Sequence, residues 1–484
     1  MPVIKWLGKL LLWTVIIVIV LVGALVLVNA VDEDLRPEAV AALKPASGGA
    51  PDQENGFFVV QGFNAPSGEN PHEYGRRWVA EIAAASTGQV QAVNSRYNRG
   101  PLDFKEMKEP ICRPDSESCL DKARRDAVET RRLIAANEEL FRRYESLYRY
   151  PRFEDRSPIR LELPITPLSQ YLKAQGLKLA QIALMFEEGE ADAALRELEH
   201  DIALQRKFAA GSSLLVSKMI AMIALSRDQL LVSEILRSRR AEPASRAEII
   251  RALSAPLGPG ERSMDGVIAA EFLFSASSLR LTKSGELKVA FGEAFGKNFG
   301  LLDSVLMMLG DMESIAEYKG KYAFLDPVIQ LFLCEKATLN LHWERFHRLA
   351  EIYRGPSSEQ DGKIRALQQQ AQDQIFSWRT AYNPLGKLML SGSIGAWQDY
   401  FARILDVDGL SRLLALQAEI VLQEIPNSEI PRFLASSDRK YFDPYTEKPM
   451  QWDPAARQIW FKPASPKALR DRIGGREGRL AVGL

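Results

Sequence analysis

The chain has 484 residues, of which 46% are hydrophobic and 26% are charged, and this composition excludes wholesale disorder. Lys and Arg together number 62, as do Asp and Glu, so no net charge attracts nucleic acid or an anionic membrane surface. We find no basic patch that changes this balance, and we expect no nucleic-acid partner.

An uncharged apolar run, "LLLWTVIIVIVLVGALVLVNAV", extends from Leu10 to Val31. A helix of this length, at about 1.5 Å per residue, spans the ~30 Å hydrocarbon core of a bilayer. Lys5 and Lys9 precede the run and acidic residues follow it, so the positive-inside rule predicts a cytoplasmic N-terminus and an exported remainder. Residues 28–30 also fit a signal-peptidase site, but the apolar run is longer than a signal peptide needs, which favours an uncleaved single-pass anchor.

The chain has three cysteines. If the chain is exported, they can form disulfides, because an oxidising compartment permits them. Cys112 and Cys119 flank a short polar loop in "ICRPDSESCLD", and this spacing predicts a disulfide between them. Cys334 lies in the apolar run "IQLFLCEKATL" and is predicted to be a buried free thiol. Too few soft ligands lie near these cysteines for a metal site.

The segment after the apolar run, up to Glu54, is rich in Pro, Ala and Gly and predicts a flexible tether. Beyond Cys119 the spacing of Leu133, Leu140, Tyr144 and Leu147 predicts one long amphipathic helix that ends near Pro151.

Two further helices meet at Gly189 and predict a tetratricopeptide-like αα-hairpin. The next helix, "SSLLVSKMIAMIALSRDQLLVSEILRS", is apolar on most of its circumference and is predicted to be central and buried. Additional helical patterns follow, including one after Pro327. The glycines Gly292, Gly296 and Gly300 are spaced four apart, and their role stays open because the segment is neither a Walker loop nor a membrane motif.

A search for catalytic residues gives no positive result. The chain has four histidines, so a histidine general base has few candidates. His342 and His347 are five residues apart, and their side chains diverge by about 140° on a helix. This spacing does not suit a pair of zinc ligands on one helix face. A pair of carboxylates would suffice for glycosidase-type hydrolysis, and the sequence leaves that alternative open. We predict no catalytic, cofactor or metal site.

Near the C-terminus, "YFDPYTEKPMQW" is followed by "QIWF". Asp443 before Pro444 favours an Asx-type turn, Lys448 before Pro449 is extended, and the two short runs predict a β-hairpin. Since an isolated hairpin is marginal, its aromatic residues are expected to lie on the helical body as a structural clasp. The clasp residues are Asp443, Pro444, Tyr445, Lys448, Pro449, Trp452 and Trp460.

Several segments in order resemble a group of bacterial inner-membrane-anchored envelope proteins with a helical periplasmic domain. The segments are "NGFFVVQGFNAPSGENPHEYG", "CRPDSESCLDKA", "GEADAALRELEHDIALQRKFAAGSSLLVSKMIA", "ATLNLHWERF" and "DPYTEKPMQW". The group carries a terminal Asp-Pro-aromatic-Ser/Thr-Gly-Lys-Pro-Leu block, from which this chain departs at Glu447 and Met450. A similar block occurs in type II secretion pseudopilins, but the leader pattern and early Glu of those proteins are missing here. The resemblance implies fold and topology but no reaction.

We therefore predict a mainly all-α protein divided as follows: a cytoplasmic tail (1–9), a transmembrane helix (10–31), a tether (32–54), a helical periplasmic domain of one or two lobes (55–440), a β-hairpin clasp (441–463) and a flexible C-terminal tail (464–484). The leading functional hypothesis is a non-enzymatic scaffold that binds another envelope protein through grooves between its helices. The alternatives are a cell-wall or lipid hydrolase that uses a carboxylate pair, and a helical module that binds a small ligand or lipid. The oligomeric state is unknown.

Overall fold

The computed structural model describes residues 2–44, 49, 51–97, 101–164, 168–238, 243–284, 330–374, 381–391, 394–465 and 478–484. The glycines at 292, 296 and 300 lie outside these residues. The described chain is mainly helical, with a small antiparallel sheet near its C-terminus, which confirms the predicted fold class.

The helices and strands are numbered in chain order over the described residues. The first eight helices are α1 (Pro2–Asn29), α2 (Pro37–Ala42), α3 (Phe57–Gln61), α4 (Pro71–Ala84), α5 (Val90–Tyr97), α6 (Cys119–Arg125), α7 (Ala127–Ala136) and α8 (Glu138–Glu145). The central helices are α9 (Leu168–Glu187), α10 (Ala191–Gly211), α11 (Leu215–Arg237), α12 (Pro243–Leu253), α13 (Pro259–Arg262) and α14 (Asp265–Ser284). The last helices are α15 (Glu335–Arg354), α16 (Ser357–Asp373), α17 (Pro384–Ser391), α18 (Gly395–Leu422) and α19 (Ile430–Ser436), and the strands are β1 (Gln451–Asp453), β2 (Gln458–Phe461) and β3 (Leu480–Gly483).

Helix α1 contains a candidate membrane span, Lys9–Asn29, that is long and apolar enough to cross a bilayer and whose apolar stretch is not buried against the rest of the described chain. Among the described residues it is the one helix with these properties. The helix ends at Asn29, two residues before the predicted end of the span. The reason is that the Asn29 side chain is drawn into the helical domain, where it bonds to distant backbone groups.

The long helix predicted after Cys119 is wrong, because the structure breaks it into α6, α7 and α8. The breaks fall at Asp126 and Asn137, whose φ angles of −117° and −118° are not helical. The Asn137 side chain accepts a hydrogen bond from the Lys105 backbone N–H and donates one to the Lys105 carbonyl. An Asn side chain that bonds backbone groups in this way competes with the helix and stops it.

The αα-hairpin at Gly189 is confirmed, with α9 and α10 as its two arms. Gly189 has a φ of +92°, which a side chain would strain, so glycine is required at this turn. Helix α11 packs against α9, α10 and α18, and most of its residues are buried, as its apolar circumference predicts. Helices α9, α10, α11 and α18 therefore form the centre of the domain.

The disulfide between Cys112 and Cys119 is present, and Cys334 is a buried free cysteine.

Helix α15 begins at Glu335, after the extended residue Cys334, and so starts later than the pattern following Pro327 predicts.

The predicted hairpin is confirmed as β1 and β2, which pair antiparallel with Trp452 opposite Ile459. The prediction of a flexible tail from residue 464 is wrong for its last residues, because β3 pairs antiparallel with β2 and completes a three-stranded sheet. Leu480 and Val482 are buried against the helical body, which gives this short terminal strand its stability.

Candidate functional site

The junction between α1 and the helical domain is built around Asn29, which is only 6% exposed. Its side-chain amide donates hydrogen bonds to the Leu25 carbonyl (2.8 Å) and to the Ala381 carbonyl (2.6 Å), and its oxygen accepts one from the Asn383 backbone N–H (2.7 Å). The end of α1 is thus bonded directly to the segment that precedes α17.

Three residues farther on, Asp32 caps helix α15 from outside the helix. Its carboxylate accepts hydrogen bonds from the backbone N–H groups of Lys336 (2.8 Å) and Ala337 (3.1 Å). These two amides belong to the first turn of α15, where N–H groups lack partners within the helix and the helix dipole favours a negative charge. Asp32 therefore fixes the start of α15 next to the C-terminal end of α1.

Asn340 lies on α15, is 1% exposed, and binds the segment that follows Asp32. Its oxygen accepts a hydrogen bond from the Arg36 backbone N–H, and its amide donates to the Glu33 carboxylate and to the Asp34 carbonyl, each at 2.9 Å. Burial raises the pKa of the neighbouring Tyr382 to about 12, and its neutral hydroxyl accepts a hydrogen bond from the Glu33 N–H. The prediction of a flexible tether is therefore wrong for residues 32–43, because short polar side chains and helix α2 attach this segment to α14 and α15.

A second polar cluster lies in the core, where α10 and α11 bring Asp201 and Asp228 together with both residues 0% exposed. The two carboxyls are within hydrogen-bonding reach of each other, and one oxygen of each has no N–H or O–H donor among the described residues. Burial raises the pKa of both carboxyls, and the charge of Asp201 raises that of Asp228 further. Since two adjacent buried carboxylates repel, their proximity favours a state in which the pair keeps a proton over one in which both are charged.

Donors from the surrounding helices satisfy the other oxygens of the pair. Asp201 accepts hydrogen bonds from the hydroxyls of Tyr144 (2.7 Å) and Tyr148 (3.0 Å), and Asp228 accepts one from the Gln175 amide (2.8 Å). A relay extends the network, because Tyr171 donates to Gln205 (2.6 Å) and Gln205 donates to Tyr144 (2.7 Å). Burial raises the pKa of all three tyrosines well above 10, so they remain neutral donors.

A pair of carboxyls with a raised pKa is the arrangement that the hydrolase alternative requires. Glycosidases, however, place two carboxyls on either side of a cleft that admits the sugar. Asp201 and Asp228 instead touch each other inside the core and expose no surface to a substrate. This arrangement can store a proton and fix the helices, but it cannot act on a polymer.

The predicted clasp residues come together as a structural unit. Asp443 accepts a hydrogen bond from the Tyr445 N–H (2.8 Å), which confirms the Asx-type turn, and its own N–H donates to the Lys448 carbonyl (2.9 Å). Buried Pro444 accepts a hydrogen bond from the Ser357 hydroxyl through its carbonyl. The remaining predicted residues, Pro449, Trp452 and Trp460, are half-buried.

Tyr445 and Asp406 join the clasp to the central helix α18. The Tyr445 hydroxyl donates to the Asp406 carboxylate (2.5 Å), which also accepts from the backbone N–H groups of Ala464 and Ser465. Phe461 lies so close to Gly409 of α18 that a Cβ at this glycine would overlap the ring. Asp443 and Phe461 are therefore buried against the helical body, whereas Lys448 is exposed, and the contacts of the clasp are structural.

The histidines of α15 do not form a site. His342 is buried between Phe272 and Phe346, and burial lowers its pKa to about 3, so it is a neutral ring in an aromatic stack. His347 stacks on Trp343 at the surface. Among the residues that the structure describes, no three His, Cys, Asp or Glu side chains converge as they would around a metal ion.

Sequence reasoning missed both polar clusters. A signal for one was present, because a helix that is buried on all sides must also bury its polar residues, and Asp228 lies in the middle of α11. The partners Asp201 and Gln175 lie on other helices, so their convergence depends on tertiary structure. The junction gave no comparable signal, since Asp32 meets its partners about 300 residues away in the chain.

The chain matches no protein-family model, no curated protein and no solved structure. The resemblance to anchored envelope proteins stays a prediction. Roles for individual residues rest on the geometry of the junction, the carboxyl pair and the clasp.

We expect Asp228→Asn to change how stability depends on pH. The folded pair keeps a proton that an unfolded aspartate, with a pKa near 3.8, releases, so the wild-type free energy of unfolding falls as pH rises above that value. The amide of the variant carries no such proton, and the variant should gain stability relative to wild type as pH rises. Thermal unfolding of the full chain in nanodiscs between pH 4 and 9 measures this. Asp192→Asn, at an exposed position of α10, is the matched control, and a parallel pH profile for wild type and Asp228→Asn would contradict the shared proton.

We expect Asp32→Ala to destabilise the junction by about 1 kcal/mol, the usual cost of losing a helix N-terminal cap. Hydrogen exchange should show faster exchange of the Lys336 and Ala337 amides. Asp34→Ala, which removes only an exposed ion pair with Lys336, should change stability by less than about 0.5 kcal/mol. Equal effects of the two substitutions would show that Asp32 does not cap α15.

Glu447 has a φ of +52°, a conformation that strains any residue with a side chain. We expect Glu447→Gly to be more stable than Glu447→Ala by about 1 kcal/mol, because both lose the hydrogen bond from Ser358 but only glycine relieves the strain. Urea unfolding followed by tryptophan fluorescence compares the two variants. An alanine variant as stable as the glycine variant would contradict the strain.

Proposed function

We propose that the protein is a non-enzymatic, membrane-anchored component of a bacterial envelope that binds another envelope protein. The junction at Asn29, Asp32 and Asn340 is the observation that carries this proposal. A domain attached to its membrane helix by buried hydrogen bonds has a defined orientation at the membrane surface, which suits a scaffold better than a free tether would. The grooves between its helices are the expected binding surfaces.

The proposed topology places the N-terminus in the cytoplasm and the helical domain in the periplasm. Lys5 and Lys9 before the span and the acidic residues 32–34 after it support this orientation. The disulfide between Cys112 and Cys119 supports an oxidising compartment. Burial of Asn29, which lies within the alternative cleavage site, supports an anchor that stays attached to the domain.

The hydrolase alternative receives less support. Its motivation is location, and the carboxyl pair with a raised pKa is enclosed in the core, where Tyr144, Tyr148 and Gln175 use its oxygens. Removing those groups for catalysis would leave buried polar atoms unpaired, at a cost of about 1–3 kcal/mol each. The geometry therefore favours a structural role for Asp201 and Asp228.

Photocrosslinking in intact cells tests the scaffold proposal. A photoreactive residue is placed at exposed positions on three separate helices, Val128 on α7, Glu351 on α15 and Gln369 on α16, and the full chain is purified through a tag at its N-terminus. A partner bound to one groove should give a discrete crosslinked species at one of these positions and not at the others. The double variant Asn29→Ala, Asp32→Ala should reduce its yield, because the domain loses its orientation.

Recovery of the chain alone, at monomer mass, from all three positions would contradict the proposal. A crosslinked species of twice the monomer mass would identify a second copy of the chain as the partner. Val128→Ala without the photoreactive group controls for capture that does not depend on crosslinking.

A further inference from the structure

Exposed apolar side chains concentrate around the end of α1. Outside α1, five large hydrophobic side chains of the described residues are 40% or more exposed, namely Val31, Val40, Val128, Val216 and Leu331. Three of them, Val31, Val40 and Leu331, lie on segments that meet at the junction between α1 and the helical domain. A single apolar side chain in water is ordinary, whereas several around one point indicate a contact surface.

The last residue of α1, Asn29, holds two distant segments of the chain beside it. Its amide donates a hydrogen bond to the Ala381 carbonyl, and its own carbonyl oxygen lies 3.9 Å from the Cys334 Sγ. Leu331 belongs to the turn at residues 330–333, directly before Cys334. Since three residues span at most about 11 Å of chain, Leu331 and Ala381 both lie near the end of the candidate membrane span.

The charged side chains of the junction are bound by the domain. The Asp32 carboxylate accepts its hydrogen bonds from the first turn of α15, and the Glu33 carboxylate accepts one from the Asn340 amide. The Tyr382 hydroxyl accepts a hydrogen bond from the Glu33 N–H and donates one to Asp32, while its ring is half-buried. Two of the three carboxylates that follow the span are therefore bound by donors of the domain, and apolar side chains remain at the surface.

We propose that Val31, Leu331, Ala381 and Tyr382, which we call the collar, lie in the headgroup layer of the bilayer that α1 is proposed to cross. The inference rests on the proposed anchor and goes further, because it names the surface of the domain that contacts lipid. The collar leaves the grooves between the outer helices accessible to the protein partner proposed above.

The length of the span supports this depth. Its 21 residues cover about 31 Å as a helix, so Asn29 lies at the edge of a hydrocarbon core of ~30 Å. The headgroup layer beyond that edge is roughly 5–8 Å thick on each side. Ala381, which is bonded to Asn29, falls at this level. Tyrosine suits the same level, because its ring is apolar and its hydroxyl is polar.

Continuity with α1 identifies lipid as the occupant of the collar. The apolar stretch of α1 is not buried against the rest of the described chain, and Val31, 75% exposed, extends that apolar surface to the collar. A bilayer that covers α1 therefore reaches the collar without a gap. Lipid contact there adds a second attachment beside the span and fixes the tilt of the domain.

Spin labels on introduced cysteines test the depth of the collar in the full chain, placed in nanodiscs of phosphatidylcholine. Leu331→Cys and Ala381→Cys carry labels on the two collar segments. Val18→Cys carries a label within the span, and Val128→Cys carries one at a 79% exposed position of α7.

The chain without an introduced cysteine, treated with the same reagent, controls for labelling of native cysteines. Cys334 is buried, and Cys112 and Cys119 are joined in a disulfide, so this control should carry little label.

Collision of each label with O₂, which partitions into the bilayer, is compared with collision with a water-soluble nickel chelate. The ratio of the two rates should be at least threefold higher at Leu331 and Ala381 than at Val128, and highest at Val18. Leu331→Asp should lower the ratio at Ala381 at least twofold, because a carboxylate draws the turn toward water, whereas Val128→Asp should leave it unchanged. Thermal unfolding establishes that each variant is folded.

The label at Val18 separates failure of the collar from failure of the anchor. A high ratio at Val18, with the ratio at either Leu331 or Ala381 equal to that at Val128, would overturn the collar and leave the anchor standing. A ratio at Val18 equal to that at Val128 would overturn both. An unchanged ratio at Ala381 in the Leu331→Asp variant would show that the two segments do not form one lipid-contacting surface, which also contradicts the collar.

Discussion

The helical domain depends on one contact in its core, the carboxyl pair of Asp201 and Asp228. A buried carboxylate that lacks partners costs several kcal/mol, so the pair depends on the donors that its oxygens receive. Those donors come from Tyr144 near the end of α8, from Tyr148 in the turn that follows it, and from Gln175 of α9. A displacement of any of these helices by one turn would leave buried polar groups unpaired. The pair therefore specifies how α8, α9, α10 and α11 are aligned, which the apolar contacts alone would not do.

The same requirement for paired polar groups joins the domain to α1, which contains the candidate membrane span. Asn29 and Asn340 are buried amides, and each finds partners in a segment far away in sequence. Composition alone predicts a tether here, since Pro, Ala and Gly are frequent in linkers. Composition cannot reveal that Asp32 meets the unpaired N–H groups of α15, because that match exists only in three dimensions. Buried hydrogen bonds consequently connect the end of α1 to the helical domain at this junction.

Local patterns were sufficient for most of the fold. Apolar periodicity located the hairpin at Gly189 and the buried helix α11, and prolines with paired apolar runs located β1 and β2. Errors arose where a distant contact overrode a local pattern, as when Lys105 binds Asn137 and ends α7. Strand β3 is another case, because four residues at the end of a chain carry little signal until β2 is available to pair with them. For the core network, the sequence indicated a buried Asp228 but not its partners Asp201 and Gln175, which lie on other helices.

Helix α11 is held by polar contacts in one part and lines an apolar cavity in another. Asp228, near the middle of α11, belongs to the carboxyl pair. The next residue, Gln229, donates a 2.7 Å hydrogen bond to Ser411 of α18. These contacts connect α11 to its neighbouring helices. At its N-terminal end, Leu215 and Met219 line an apolar cavity of about 380 Å³ together with Phe274 of α14 and Tyr400 of α18. Nine residues separate Met219 from Asp228, about 14 Å along the helix. The polar pairing of α11 and the apolar cavity therefore occupy different parts of one helix. A change of side chain at the cavity leaves the hydrogen bonds of Asp228 and Gln229 in place.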